Sequence, residues 1–242
     1  MNGSFLIVNI SSAIFECSAP DLDTCPDESL PEFAFIGRSN VGKSSLLNML
    51  SGKDDLARVS PVPGFTKLIN FFVMNECWRL VDLPGYGFAE GARKDSAKFN
   101  QAVSNYLKNR TNLCCVFALI ESALPPQEID IEFIGWLTRN GVPFVLVFTK
   151  ADKISPVVAQ ANKDAFMGEI SPWFVQPPAT FSCSSETGHG RTELLGVIDE
   201  SMTAIQAEAA KAPAPLAEDG SPAPRVKPGK PKKRRPDLAR PW

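Results

Sequence analysis

Short, uninterrupted apolar runs recur along the chain at Phe33–Ile36, Cys114–Ile120 and Val142–Phe148. Each is too short for a helix of normal length and is flanked by polar or turn residues, the pattern of strands buried on both faces. Longer stretches between them place apolar residues at helical spacing. Ala92–Asn109 carries Phe99, Val103, Tyr106 and Leu107 on one face, Gln127–Asn140 is closed by Gly141, and Pro156–Ile170 and about Thr192–Ala209 complete the set. Leu68–Met74 and Cys77–Leu83, split by Asn75-Glu76, read as two paired strands with a tight turn. Ser12–Cys17 and Thr180–Cys183 are candidate short strands, and Ala19–Pro31, rich in Pro and Asp, reads as a loop across the domain edge. The polar Ser51–Pro63 segment, ending in SPVPGFT, predicts no regular structure. Strands alternating with helices predict an α/β fold, a mostly parallel sheet covered by helices on both faces.

Composition refines this picture at the ends. The 242 residues are 44% hydrophobic, enough for one α/β domain over 1–210 with its core at about 32–207. Residues 211–242 hold eight of the chain's 21 prolines and almost no large apolar side chains, so a disordered tail is expected. From Arg225 onward eight basic residues face a single acid, Asp237, so a cationic arm follows an anionic globule despite a net charge of only −2. Such an arm suits either a solubilising role or contact with a polyanion. No apolar run approaches the ~20 residues that span a bilayer, which argues against a membrane partner. The N-terminus has neither a basic n-region nor a cleavage site, so no signal peptide is expected. Six cysteines without a CxxC pair, and one histidine, give zinc little support and predict reduced thiols in a cytoplasmic protein.

The chemistry concentrates in GRSNVGKSS, Gly37 to Ser45, which follows the first buried strand and opens a helix. Gly37, four residues, then Gly42-Lys43-Ser44 is the P-loop spacing in its required strand-to-helix setting. Gly37 and Gly42 let the backbone through Arg38, Ser39, Asn40 and Val41 wrap phosphate oxygens with inward N–H groups. Lys43 supplies a point charge to the β and γ phosphates, and the Ser44 hydroxyl can ligate Mg²⁺. The helix N-terminus adds a positive dipole end.

Two later stretches select the base. Thr149-Lys150-Ala151-Asp152 ends a buried strand; the Asp152 carboxylate can accept both the N1–H and the exocyclic amine of guanine, and adenine offers the opposite pattern. The stem of Lys150 can pack along the ring, and the Cys183 N–H, in Phe181-Ser182-Cys183, is expected to meet guanine O6. A P-loop ATPase or kinase is disfavoured on this ground. Two further pieces sense the γ-phosphate. In Asp82-Leu83-Pro84-Gly85, Asp82 can hold Mg²⁺ through water and the Gly85 N–H can reach the phosphate. In Gly64-Phe65-Thr66-Lys67-Leu68, Thr66 can give Mg²⁺ a second hydroxyl. Contacts that exist only while the γ-phosphate does make each loop a switch. Phe71 and Phe72 are read as strand packing.

GRSNVGKSSLLNML, PGFTKLINFF, VDLPGYGFA, FTKADK and FSCSSETGHGRTELL, in that order and spacing, resemble the EngB (YihA/YsxC) family of bacterial and organellar GTPases over about Ile14–Ile205. The resemblance implies a Ras-like GTPase fold, bound GTP or GDP with Mg²⁺, and a role in assembling the large ribosomal subunit, with a link to division septum formation. It also implies Ser44 and Thr66 as Mg²⁺ ligands, Gly37–Ser44 around the phosphates, Gly64–Leu68 and Asp82–Gly85 as switches, and Thr149–Asp152 with Phe181–Cys183 around guanine. Three features depart from the family pattern: Phe65 and Lys67, Glu121-Ser122-Ala123 where an Asp with an Arg-His pair is common, and the basic tail.

Ras-like proteins commonly follow the DxxG glycine with a water-orienting glutamine. Tyr86 follows Gly85 here, so slow intrinsic hydrolysis is expected, carried by Lys43, Thr66, Gly85 and Asn40. Related GTPases with Asn at the Asn40 position use it to bind K⁺; a plain loop-shaping role is the alternative. His189 reads as a turn residue. The expected partner is the large subunit or its assembly intermediates, with the chain monomeric. A GTP switch acting on a protein effector in division or stress response is the alternative.

Overall fold

The computed structural model describes residues 9–57, 68–87 and 93–211, without the side chains of 93–100, 209 and 211. Among the described residues seven strands form one sheet: β1 (Ala13–Ala19), β2 (Glu32–Gly37), β3 (Ile69–Met74), β4 (Trp78–Asp82), β5 (Leu113–Glu121), β6 (Phe144–Thr149) and β7 (Thr180–Ser182). Their order across the sheet is β1-β3-β4-β2-β5-β6-β7. β3 pairs antiparallel with both β1 and β4, and every other pair is parallel, so β3 alone runs against the rest.

Among the described residues five α-helices cover the sheet: α1 (Lys43–Ser51), α2 (Arg93–Asn109), α3 (Glu128–Arg139), α4 (Pro156–Ile170) and α5 (Arg191–Lys211). Leu46, Leu47 and Leu50 of α1 and Leu194, Leu195 and Ile198 of α5 fill one face of the sheet. Val103, Tyr106 and Leu107 of α2, Ile134 and Leu137 of α3, and Phe166 and Ile170 of α4 fill the other. The side chain of Phe99, expected on that same face, lies outside the described residues. β2 and β5 are neighbours whose following helices go to opposite faces. Their carboxyl ends therefore flank a crevice, the position at which doubly wound sheets bind ligands.

Local chemistry explains where elements stop. The turn between β3 and β4 uses Asn75 and Glu76 at φ 49° and 59°, as a two-residue hairpin with two left-handed centres requires. Asn75 Oδ1 also accepts the N–H groups of Ser11 and Ser12, at 2.8 and 3.1 Å, and so anchors the entry to β1. β1 outlasts the expected Cys17 because Ser18 and Ala19 continue the pairing opposite Asn70 and Ile69. β6 starts two residues later than expected: the Val142 N–H is spent on Leu137 O (3.1 Å), closing α3 after Gly141, and Pro143 has none to give. α4 opens on Ser155, whose hydroxyl accepts the Val158 N–H, with Pro156 in the first turn.

A buried ion cluster closes the amino ends of the central strands, opposite the P-loop. Glu32, fully buried at the start of β2, accepts Arg110 Nη2 at 2.7 Å, Arg110 Nε at 2.9 Å and the Tyr106 hydroxyl at 2.8 Å. Arg79 stands beside it, donating to Glu16 (2.8 and 3.1 Å) and to Asp27 O (2.6 Å). Arg110 also donates to Pro26 O at 2.7 Å, so the loop before β2 is tied down by two guanidinium groups.

The chain divides into two compact units, Met1–Thr203 and Ala204–Trp242. Of the second, the described residues are the closing turns of α5. The tail expected at 211–242 lies, beyond Lys211, outside the described residues.

Candidate guanine-nucleotide site

The phosphate loop is built at the mouth of the crevice. A Cβ on Gly37 would stand 2.8 Å from Leu119 O and 2.9 Å from Val41 Cγ1, so only glycine lets β2 turn this close to β5. Asn40 (φ 66°) and Gly42 (φ 100°) take left-handed conformations, and α1 begins at the next residue, Lys43. Asparagine is among the few non-glycine residues that tolerate this region, which gives Asn40 a loop-shaping role. Lys43 is buried and its Nζ contacts the Asp82 carboxylate, which also lies 3.4 Å from Asn70 Nδ2. The P-loop lysine and the acid of DLPG therefore share one spot above the loop. Ser44 is half-buried in the first turn of α1.

The DLPG segment is stitched onto the P-loop. Tyr86 N–H donates to Gly37 O at 3.2 Å and Tyr86 O accepts the Ser39 N–H at 3.3 Å. Gly85 sits so close that an added Cβ would lie 2.9 Å from Gly37 O. Leu83 is fully buried in the core, its N–H bonded to Phe35 O at 3.0 Å, and Pro84 is buried too. Leu83 and Pro84 thus anchor that stretch in the core, while the buried Asp82 meets Lys43 and Gly85 lies against the P-loop.

Asp130, in the first turn of α3, joins these parts. It accepts Arg38 Nε on both oxygens (3.1 and 3.0 Å) and the Tyr86 hydroxyl at 3.0 Å, with its side chain 1% exposed. Burial pushes its carboxyl above the usual range, against the opposing pull of Arg38. Burial, and then the Asp130 charge, push the Tyr86 phenol well above its ordinary value. Tyr86 also lies against the Phe133 ring, with centroids 4.5 Å apart. The residue at the usual glutamine position is therefore committed, protonated, to α3.

At the base end, the Thr149 hydroxyl lies 2.7 Å from Val41 O and 3.2 Å from Ile120 O, locking the end of β6 to the P-loop. Lys150 is left-handed (φ 57°), and its Cε would stand 3.7 Å from a Cβ placed on Gly42, so its stem runs beside the phosphate loop. Ala151 N–H bonds Cys183 O at 3.1 Å. Asp152 carries a carboxyl held below its usual range, first by a hydrogen bond from the Ser184 hydroxyl and also by Lys153, whose Nζ is 3.3 Å away. Ser184 went unassigned in the sequence, although it stands inside FSCSS; its buried position one residue after Cys183 is what brings it to Asp152.

One expectation is overturned. The Cys183 N–H, assigned to guanine O6, donates to Phe148 O at 2.8 Å and so completes the β6–β7 pairing. Phe181 and Ser182 belong to the same pairing, opposite Val147 and Phe148, and Phe181 packs against the core. The cysteine itself is buried, and burial pushes its thiol up to about 12. The exposed N–H that follows, Ser185, has no partner among the described residues. Arg191 was also missed: its guanidinium donates to Met49 O and Leu50 O, each at 2.9 Å, and caps the carboxyl end of α1 from the first residue of α5.

Gly64, Phe65, Thr66 and Lys67 lie outside the described residues; Leu68, which precedes β3, is exposed. Phe71 and Phe72 are buried in the sheet, as expected. His189 is exposed in the turn after β7, its carbonyl accepting the Ser184 N–H at 3.1 Å. No group of three or more His, Cys, Asp or Glu side chains among the described residues could cage a metal ion. The oxygen donors that are present, the Ser44 hydroxyl and the Asp82 carboxylate, are of the kind Mg²⁺ takes, an ion that uses few protein ligands and keeps phosphate oxygens and waters. Among the described residues no helix is long and apolar enough to cross a membrane.

The sequence profile described as "50S ribosome-binding GTPase" matches residues 32–150. The protein named "Probable GTP-binding protein EngB" from Bacteroides fragilis is 45% identical over 192 residues, 79% of this chain and 96% of its own. The protein of the same name from Cytophaga hutchinsonii is 49% identical over 191 residues, 78% of this chain and 95% of its own. Among solved structures, a GTP-binding protein engB superposes with a TM-score of 0.58 over 72% of this chain and 99% of its own, at 23% identity. Aquifex aeolicus Era bound to GDP and AlF4⁻ gives 0.59 over 72% and 57%, at 22% identity, and so speaks to the fold. With phosphate loop, DxxG segment and base loop converging on one crevice, and relatives of this similarity over most of their length, the chain belongs to the EngB family of P-loop GTPases.

Proposed function

We propose that this GTPase is a slow molecular switch in the assembly of the large ribosomal subunit, cytoplasmic and monomeric, and needed for normal septum formation. The observation that carries the guanine-nucleotide part is the base end of the crevice. Asp152 is kept ionised by Ser184, and Thr149 ties its loop to the phosphate loop at 2.7 Å. The ribosomal part is supported by the "50S ribosome-binding GTPase" profile over 32–150 and by the basic residues from Arg225 onward, which suit rRNA phosphates.

In this reading the backbone of Gly37–Ser44 wraps the phosphates and Lys43 exchanges its Asp82 contact for the β and γ phosphates. Gly85 offers its N–H to the γ-phosphate. Ser44, with Thr66 from the other switch, would hold Mg²⁺, and Asp82 would hold it through water; the ion would neutralise charge building on the phosphate oxygens. Asp152 takes the guanine N1–H and amine, Lys150 lines the ring, and the Ser185 N–H takes O6 in place of Cys183. Tyr86 cannot orient water as a glutamine does while its phenol is bonded to Asp130, which supports a low intrinsic rate. Asn40 as a K⁺ ligand is a separate part of the proposal; equal hydrolysis rates in K⁺ and Na⁺, with and without ribosomes, would remove it.

Co-sedimentation with ribosomal subunits, comparing a non-hydrolysable GTP analogue with GDP, tests the function. Pelleting with large subunits only in the GTP state is the expected result, weakened by salt and by ending the chain at Ala210. No pelleting in either state would leave the GTPase and move the switch to a protein effector.

A further inference from the structure

The segment Glu121-Ser122-Ala123 departs from the family pattern, and the geometry around it points to a use. Glu121 is the last residue of β5 and stands opposite Thr149 in the parallel pairing with β6. The Ser122 N–H donates to Thr149 O at 3.0 Å, and Asn162 Nδ2 of α4 donates to Ser122 O at 2.8 Å. Ser122 is 2% exposed, so the turn leaving β5 is pinned from both sides. From this fixed point the Glu121 carboxylate reaches Lys150 Nζ at 2.9 Å, with the two side chains 20% and 31% exposed. Lys150 starts from a left-handed backbone, and its stem passes beside Gly42.

We propose that Glu121 is a positioning residue for nucleotide binding, holding the ammonium of Lys150 so that the stem is laid out as one wall of the base pocket before the nucleotide arrives. This rests on the guanine-nucleotide reading given above. A lysine has four rotatable bonds and a strongly hydrated head; left free, it would sample conformations that cross the pocket and would have to be ordered on binding. Anchoring its far end to a carboxylate on the neighbouring strand removes that cost in advance. The contact lies on the base side of the site, so it serves GDP and GTP alike and touches no reacting atom.

The test is a double-mutant cycle on the full chain with Glu121→Gln and Lys150→Met, read by titration with fluorescent GDP and by steady-state hydrolysis. Glutamine keeps the shape and removes the charge. The Glu121→Gln variant is expected to bind GDP and a GTP analogue about three- to tenfold more weakly, as loss of a mostly buried ion pair and its ordering would give. KM should rise by a similar factor while kcat at saturating GTP stays unchanged. In the Lys150→Met background the same Glu121 substitution should have no further effect. Unchanged affinity of Glu121→Gln overturns the proposal, as does an equal loss with and without Lys150, or a fall in kcat at constant KM. Failure of the unsubstituted protein to bind GDP would instead sink the guanine-nucleotide reading itself.

Discussion

Replacing Asp130 with alanine removes the one acceptor shared by the P-loop and the DLPG segment, and its cost follows from the contacts. The carboxylate is 1% exposed and accepts two contacts from Arg38 and one from Tyr86. Breaking a fully buried charged pair costs about 3–5 kcal/mol. Arg38 is 20% exposed, so its guanidinium can turn towards water and the cost falls to the lower end. The Tyr86 hydroxyl, packed against Phe133, cannot turn in the same way, and leaving it unbonded adds about 1 kcal/mol or more. The total is roughly 3–4 kcal/mol, which lowers Tm by about 6–16 °C at ~2–4 °C per kcal/mol for a domain of this size. Adding Tyr86→Phe to Asp130→Ala should then cost less than it does alone, with a coupling of about 1–2 kcal/mol, because the orphaned hydroxyl is gone. Urea denaturation of the four proteins measures both quantities. An Asp130→Ala variant within about 0.5 kcal/mol of the parent, or strict additivity with Tyr86→Phe, would refute the reasoning.

Gly85→Ala places a methyl 2.9 Å from Gly37 O and 3.2 Å from Ser39 N, backbone atoms that cannot yield. It should destabilise by about 1–3 kcal/mol and slow GTP hydrolysis while leaving GDP affinity nearly intact, a split read by paired binding and turnover assays. In the pH series the sign is set by Asp152, which must be ionised to pair with guanine. Ser184 holds its carboxyl low, so GDP affinity should persist on acidification until that depressed value is reached. Ser184→Ala should shift the acid loss of GDP binding to higher pH; superimposable profiles would show that Ser184 does not act on Asp152. Cys115 and Cys183, each pushed by burial to about 12, should resist dithionitrobenzoate in the folded protein and react on unfolding, whereas exposed Cys77 reacts first.

The legible parts of this molecule were those governed by local rules. The P-loop, the turn at Asn75-Glu76 and the stop at Gly141 are each a few consecutive residues whose backbone needs can be read from their types. The α4 bounds, Pro156–Ile170, were legible for the same reason: a serine cap and a proline start stand beside the apolar pattern. What stayed hidden was pairing between distant positions. Asp130 looks like an ordinary acid in the first turn of a helix until Arg38, 92 residues away, reaches it. Arg191 looks like a surface charge beside a glycine turn until α1 passes beneath it. Cys183 was misassigned because its N–H was judged by nearness to the end of β7. The last hydrogen bond of a parallel strand pair depends on register, which spacing alone does not fix.

The Glu32–Arg110–Arg79 cluster sits at the amino ends of the strands, a full sheet length from the nucleotide crevice. That separation makes it the natural place for an engineer to alter robustness without retuning chemistry. Substituting the cluster as a whole with well-fitted apolar side chains is often neutral or favourable for buried ion groups, whereas removing one member leaves uncompensated charge in the core. A stability change made there by concerted exchange would therefore leave the working end of the sheet untouched, whereas a single substitution would strand a buried charge.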